Sequence, residues 1–149
     1  IQLTRMPEWT AKRTANAHTI LDACAKWEAK GYLSVPRLEE SPQFADSTHA
    51  YYKLYVYVQS DNLPKEWSRD RIIQEINDLG VPCFSGSASE VYLEKAFDNT
   101  GLRPESRLPV AKQLGETSLM FLVHPTLTEE EIKQTVQAID SVFANIHNQ

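Results

Sequence analysis

Long apolar runs, basic residues in excess and cysteine are what this 149-residue sequence has least of. No stretch approaches the roughly 18–20 apolar residues that span a bilayer. The opening IQLTRMPEW also lacks the basic-then-apolar order of a signal peptide, so a cytoplasmic protein with no membrane partner is expected. A formal charge of −5 excludes the broad basic footprint that nucleic acid demands. Two cysteines, Cys24 and Cys83, are too few for a disulfide framework or an all-cysteine zinc site, which leaves free thiols. His18, His49, His124 and His147 show no metal-ligand spacing. Neither G-x-x-x-x-G-K-[ST] nor G-x-G-x-x-G occurs, and there is no internal repeat or low-complexity tract.

What remains is an ordinary globular composition, 42% hydrophobic and 23% charged. A chain of this length buries roughly 68–70% of its unfolded surface, enough for a real core. It opens at Ile1 already inside a helix-like pattern, so a fragment or trimmed product is expected. WTAKRTANAHTILDACAKWEAK, Trp9 to Lys30, reads as a helix with Ala15, His18 or Ile20, Ala23 and Trp27 on one stripe and Gly31 as its stop. Val35 to Thr48 reads as extended chain and loop. HAYYKLYVYVQ, His49 to Gln59, alternates as a strand, with Ala50, Tyr52, Leu54, Val56 and Val58 facing the core. His49, Tyr51, Lys53, Tyr55, Tyr57 and Gln59 fall on the other face.

Ser68 caps a predicted helix to Leu79 that buries Ile72, Ile73, Ile76 and Leu79, with Gly80 just past its end. VPCF is a short strand, EVYLEKAFDNTG a short helix ended by Gly101, and LPVAKQLGETS a helix with a break at Gly115. LMFLVH, Leu119 to His124, reads as a buried strand. Thr128 caps a last helix that buries Ile132, Val136, Ile139, Val142, Phe143 and Ile146 and carries Glu129, Glu130 and Glu131 against its dipole. Helices interleaved with few strands predict an α+β domain: a small, mainly antiparallel sheet covered by helices.

Chemistry is harder to find. Cys83 with His124 would make a nucleophile and base only if something oriented the histidine, and nothing in the sequence does. SGSAS, Ser85 to Ser89, has the composition of an anion-holding turn without a phosphate motif. The tyrosine face of the first strand is better suited to packing on another domain than to stacking bases.

The segments in order carry more. IQLTRMPEWTAKRTANA, HAYYKLYVYV, SRDRIIQEINDLGVPC and RLPVAKQLGETSLMFLVHPTLTEEEIKQTVQAI together resemble the C-terminal third of the DegT/StrS sugar aminotransferases, fold-type I pyridoxal-phosphate enzymes. The resemblance rests on the R-x-x-NA helix, the G-[IV]-P turn, LP-x-A, HP-x-LT and the closing helix.

It implies amino transfer from an amino-acid donor to a keto sugar carried on a nucleotide, as in antibiotic or surface-polysaccharide biosynthesis. It also implies a missing large domain of the same polypeptide. That domain would hold pyridoxal 5'-phosphate through a Schiff-base lysine, while no lysine of this chain stands in the family's lysine context. Catalysis by this chain alone is therefore not expected, and neither is cofactor bound to it.

The resemblance divides the chain into residues 1–31, a helix linking to the large domain, and residues 32–149, the small α+β domain. Where the family places a His-Tyr-Pro stretch and further histidines over the sugar, this chain has Gly86 and Tyr92. Ser85, Ser87, Ser89 and Tyr92 then become the candidate substrate-binding hydroxyls. An exposed apolar patch, open to self-association, should mark the lost partner surface. The alternative is a free-standing α+β small-molecule-binding or regulatory module with SGSAS as its ligand loop.

Overall fold

The computed structural model describes residues 2–37, 42–44 and 46–149. Part of the expected 35–48 loop, residues 38–41 and 45, lies outside the described residues. The elements are α1 (Gln2–Ala29), β1 (Leu33–Ser34), β2 (Leu54–Val58), α2 (Arg69–Asp78), β3 (Cys83–Phe84), α3 (Pro109–Thr117), β4 (Ser118–Phe121) and α4 (Glu129–His147). The four strands form one sheet in the order β1-β2-β4-β3, every neighbouring pair antiparallel. The expected α+β architecture is what the chain adopts.

One face of the sheet carries the core. Leu54, Val56 and Val58 alternate inward on β2, and Leu119 and Phe121 sit opposite Val56 and Leu54 on β4. Against them pack Ile20, Cys24 and Trp27 of α1, Ile72 and Ile76 of α2, and Ile139, Val142, Phe143 and Ile146 of α4. α4 begins with a full capping box: the Thr128 hydroxyl accepts from Glu131 N, and the Glu131 carboxylate accepts from Thr128 N. Ser68 caps α2 in the same sense, accepting from Arg71 N.

The elements differ from expectation where tertiary contacts set the phase. α1 starts at Gln2 and runs through Pro7, whose missing N–H leaves a carbonyl on an exposed turn where water can serve it. Its buried stripe is Asn16, Ala17, Ile20, Cys24 and Trp27, because the bulky side chains fix the rotation and not Ala15 or Ala23. His18 is exposed.

β2 starts only at Leu54. Tyr51 holds a backbone φ of +44° and turns the chain, so Ala50 is exposed and Tyr52 is 81% exposed instead of core. Leu79 is the exposed C-cap of α2, while Ile73 and Val136 are half-buried. The segment after Glu90 forms two 3-10 turns, Val91–Leu93 and Lys95–Phe97, and not one α-helix. The Arg103 guanidinium takes the carbonyls of Tyr92, Leu93 and Glu94, which a continuing helix would need. α3 runs unbroken through Gly115.

Candidate functional site around the serine loop

The second face of the sheet is polar and aromatic. Register places Tyr57 opposite Ser118, and Tyr55 opposite Met120, which in turn faces Phe84 on β3. The two-residue strand β3 is held in place by Asn77, whose side-chain amide donates to Cys83 O and accepts from Cys83 N, both at 3.0 Å. The chain leaving β3 then folds back over this face. Ser118 Oγ donates to Ser85 O at 2.5 Å, and the Tyr55 hydroxyl lies 3.3 Å from Ser87 Oγ.

Two glycines permit the approach. Gly86 has φ +88°, and a Cβ there would run into the Tyr55 ring. A Cβ on Gly115 of α3 would collide with the Ser89 hydroxyl. Arg69 of α2 ties this region together by donating to the carbonyls of Gly115 and Ser118, at 2.9 and 3.1 Å.

Ser85, Ser87 and Ser89 are exposed, with Ser87 Oγ beside the Tyr55 hydroxyl and the Ser89 side chain against Gly115. Tyr92 is used differently. Its hydroxyl donates to Glu90 Oε1 at 2.6 Å and accepts from Leu108 N at 2.9 Å. Arg107 pairs with Glu90 and also reaches Glu116 of α3. Its guanidinium, with help from Tyr92, holds the Glu90 carboxyl down at about 2. Tyr92 therefore closes the loop's far end through an ionic knot.

Tyr55 is the residue of this site that sequence reasoning missed. Alternation places it on the strand's outer face, and the sequence signal for its role is glycine at 86, which lets a backbone lie on a ring.

Cys83 is 1% exposed, and burial pushes its thiol up to about 12. His124 is exposed and bonded to Thr126. Cys83 is a core side chain with no thiolate available near neutral pH. Among the described residues no group of His, Cys, Asp and Glu is placed to hold a metal, and no helix is long and apolar enough to cross a membrane.

The R-x-x-NA segment is structural. Arg13 donates to Ala50 O at 3.1 Å, and the Asn16 amide donates to the carbonyls of Val123 and His124. It buttons α1 to the chain ahead of β2 and to the turn between β4 and α4.

The described residues thus form one antiparallel sheet with helices on its core face and the serine loop on its second face. Residues 1–140 match the model of the DegT/DnrJ/EryC1/StrS aminotransferase family, and the chain belongs to that family. It is similar to an aminotransferase from Psychrobacter cryohalolentis, at 94% identity and TM-score 0.97, covering 99% of this chain and 37% of that one. The aminotransferase TlmJ from Streptoalloteichus hindustanus shares the fold at 21% identity and TM-score 0.75, over 98% of this chain and 35% of that one. NtdA from Bacillus subtilis, solved with bound PMP, does so at 19% identity and TM-score 0.70, over 91% and 28%. Among curated proteins nothing matches. The chain thus spans only about a third of the length of these solved relatives.

Enzymes of this family use pyridoxal phosphate, which needs a sheltered lysine beside an acid for the ring nitrogen. No lysine here is buried. Lys12 and Lys133 line a groove with Glu129 between α1 and α4, but it is open surface, and Lys133 lies 3.9 Å from Glu130. Among the described residues no lysine is sheltered beside an acid as that cofactor requires.

Proposed function

We propose that this chain is the C-terminal small-domain portion of a pyridoxal-phosphate-dependent nucleotide-sugar aminotransferase, and that it lends one wall of the substrate site without transferring amino groups alone. The carrying observation is the serine loop lying over Tyr55, with Ser85, Ser87 and Ser89 exposed beside an aromatic face. Hydroxyls of this kind both donate and accept, which suits the alternating hydroxyls of a sugar. Residues 1–31 form the helix that leaves the large domain, and residues 32–149 form the small domain. The lysine and acid that hold the cofactor lie in the remainder of the polypeptide, where bound pyridoxal phosphate supplies the electron sink for amino transfer. Tyr92 serves by fixing the loop, its hydroxyl spanning Glu90 and Leu108.

The test uses the complete gene product, a nucleotide-linked keto sugar and an amino-acid donor, with amino transfer followed by the cofactor's absorbance. A Ser87→Ala, Ser89→Ala double variant should raise KM for the sugar by about tenfold while kcat holds, as expected for lost uniform binding. The 149-residue chain alone should show neither cofactor absorbance nor turnover. Turnover by the chain alone, or an unchanged KM in the double variant, would overturn the reading.

A further inference from the structure

Beside the serine loop, on the same face of the sheet, lies a cleft of about 230 Å³ lined by Pro36, His49, Tyr51, Lys53, Tyr55 and Tyr57. Tyr55 belongs to both places, since its hydroxyl meets Ser87. Each polar side chain in the cleft can donate a hydrogen bond. His49 Nδ1 accepts from Tyr51 N at 2.9 Å, so in the neutral ring the proton sits on Nε2. Burial raises the Tyr57 hydroxyl above its ordinary value and keeps it an O–H donor near neutral pH. Among the described residues Lys53 has no carboxylate partner, its ammonium lying 5.9 Å from the Tyr52 ring, and no acidic side chain of those residues lines the cleft.

The backbone is also set here at some cost. Tyr51 holds φ +44°, a conformation rare for a bulky side chain. It is kept there by the His49 bond on one side and by Arg13 gripping Ala50 O on the other. Strain of this kind collects at ligand clamps, where it fixes groups ahead of binding.

We infer that this cleft is a subsite for the anionic end of a polyhydroxylated substrate, with Lys53 and His49 meeting the negative charge and Tyr55 and Tyr57 meeting adjoining oxygens. The inference rests on the proposed sugar-binding role of the neighbouring loop and extends it to residues 49–57. The anion is a phosphate or a sugar carboxylate, two sources of one chemistry.

Calorimetric titration of the complete gene product separates them, using uridine diphosphate and inorganic pyrophosphate in one arm and glucuronate in the other. Binding needs no turnover, so its outcome is independent of the aminotransferase assay. Lys53→Gln should weaken the anion that binds by about tenfold, as for a lost charge-assisted hydrogen bond. Tyr55→Phe, which keeps the ring, should weaken it less. Lys112→Gln, on α3, is the control and should leave binding unchanged, with thermal melting confirming that each variant folds. Saturable binding that responds to Lys53 in either arm supports the subsite and names its anion. No binding of any probe to the wild type, or equal affinities in wild type and Lys53→Gln, overturns it.

Discussion

Gly86 carries the serine loop past Tyr55, and two separate demands fall on it. Its φ of +88° disfavours any L side chain, and its missing Cβ leaves room for the ring. Gly101 separates the two, because it holds φ +72° with nothing within 4 Å of a would-be Cβ. Gly101→Ala should therefore cost only backbone strain, about 1–2 kcal/mol. Gly86→Ala should cost that and more, since the loop must lift from the sheet as well. Urea unfolding of the two variants measures the difference, and Tyr55→Ala in the Gly86→Ala background should recover the excess. Equal losses in both glycine variants would mean that the loop does not press on Tyr55.

At the scale of the element, residues 90–108 put no apolar side chain into the core and are held by charge. Arg103 binds backbone carbonyls and Asp98, while Arg107 joins Glu90 to Glu116. Glu90 sits at about 2, below its ordinary 4.5, because the Arg107 guanidinium and the Tyr92 hydroxyl favour the carboxylate. A carboxyl lowered on folding stabilises fully above its unfolded value and loses that contribution as pH falls towards its folded value. Protection of the loop amides from hydrogen exchange should therefore decline between about pH 4.5 and 2. Glu90→Gln should show weaker protection that no longer changes over that interval. An identical pH profile in the variant would place the sensitivity elsewhere, with Glu28 and Glu131 the next acids to examine, since both are also lowered.

This segment also marks the limit of what the sequence made legible. Helices with strong local signals, such as Ser68 with its isoleucine stripe or Thr128 with Glu131, were predictable from neighbouring residues alone. The break at Tyr51 depends on Arg13, which bonds Ala50 from 37 positions away. The 3-10 turns depend on Arg103 reaching back to Tyr92. Tyr55 joined the site only through a loop that follows a different strand. Contacts between residues distant in sequence set these features, and alternation or propensity carries no record of them.

For the whole molecule, the distribution of exposed apolar side chains matters more than their number. Val91, Leu93, Leu102, Leu108, Val110 and Leu114 are between 40% and 72% exposed, and all fall on the one segment that runs from the serine loop through α3. α1 adds Leu3, 84% exposed, on its outlying first turn. Single exposed apolar residues are ordinary on a protein surface, but a concentration along one segment marks a surface meant to be covered. Under the proposed function its cover is the remainder of the polypeptide. Left alone, the 149-residue chain should associate with itself through this segment. Sedimentation velocity across a concentration series should then show the average mass rising with concentration. Leu102→Glu combined with Val110→Glu should restore the monomer, because like charges would meet where apolar groups had. Neither position is buried, so the double variant should keep the melting temperature of the parent. A chain that stays monomeric throughout would show the segment content in water, and would count against a covering large domain.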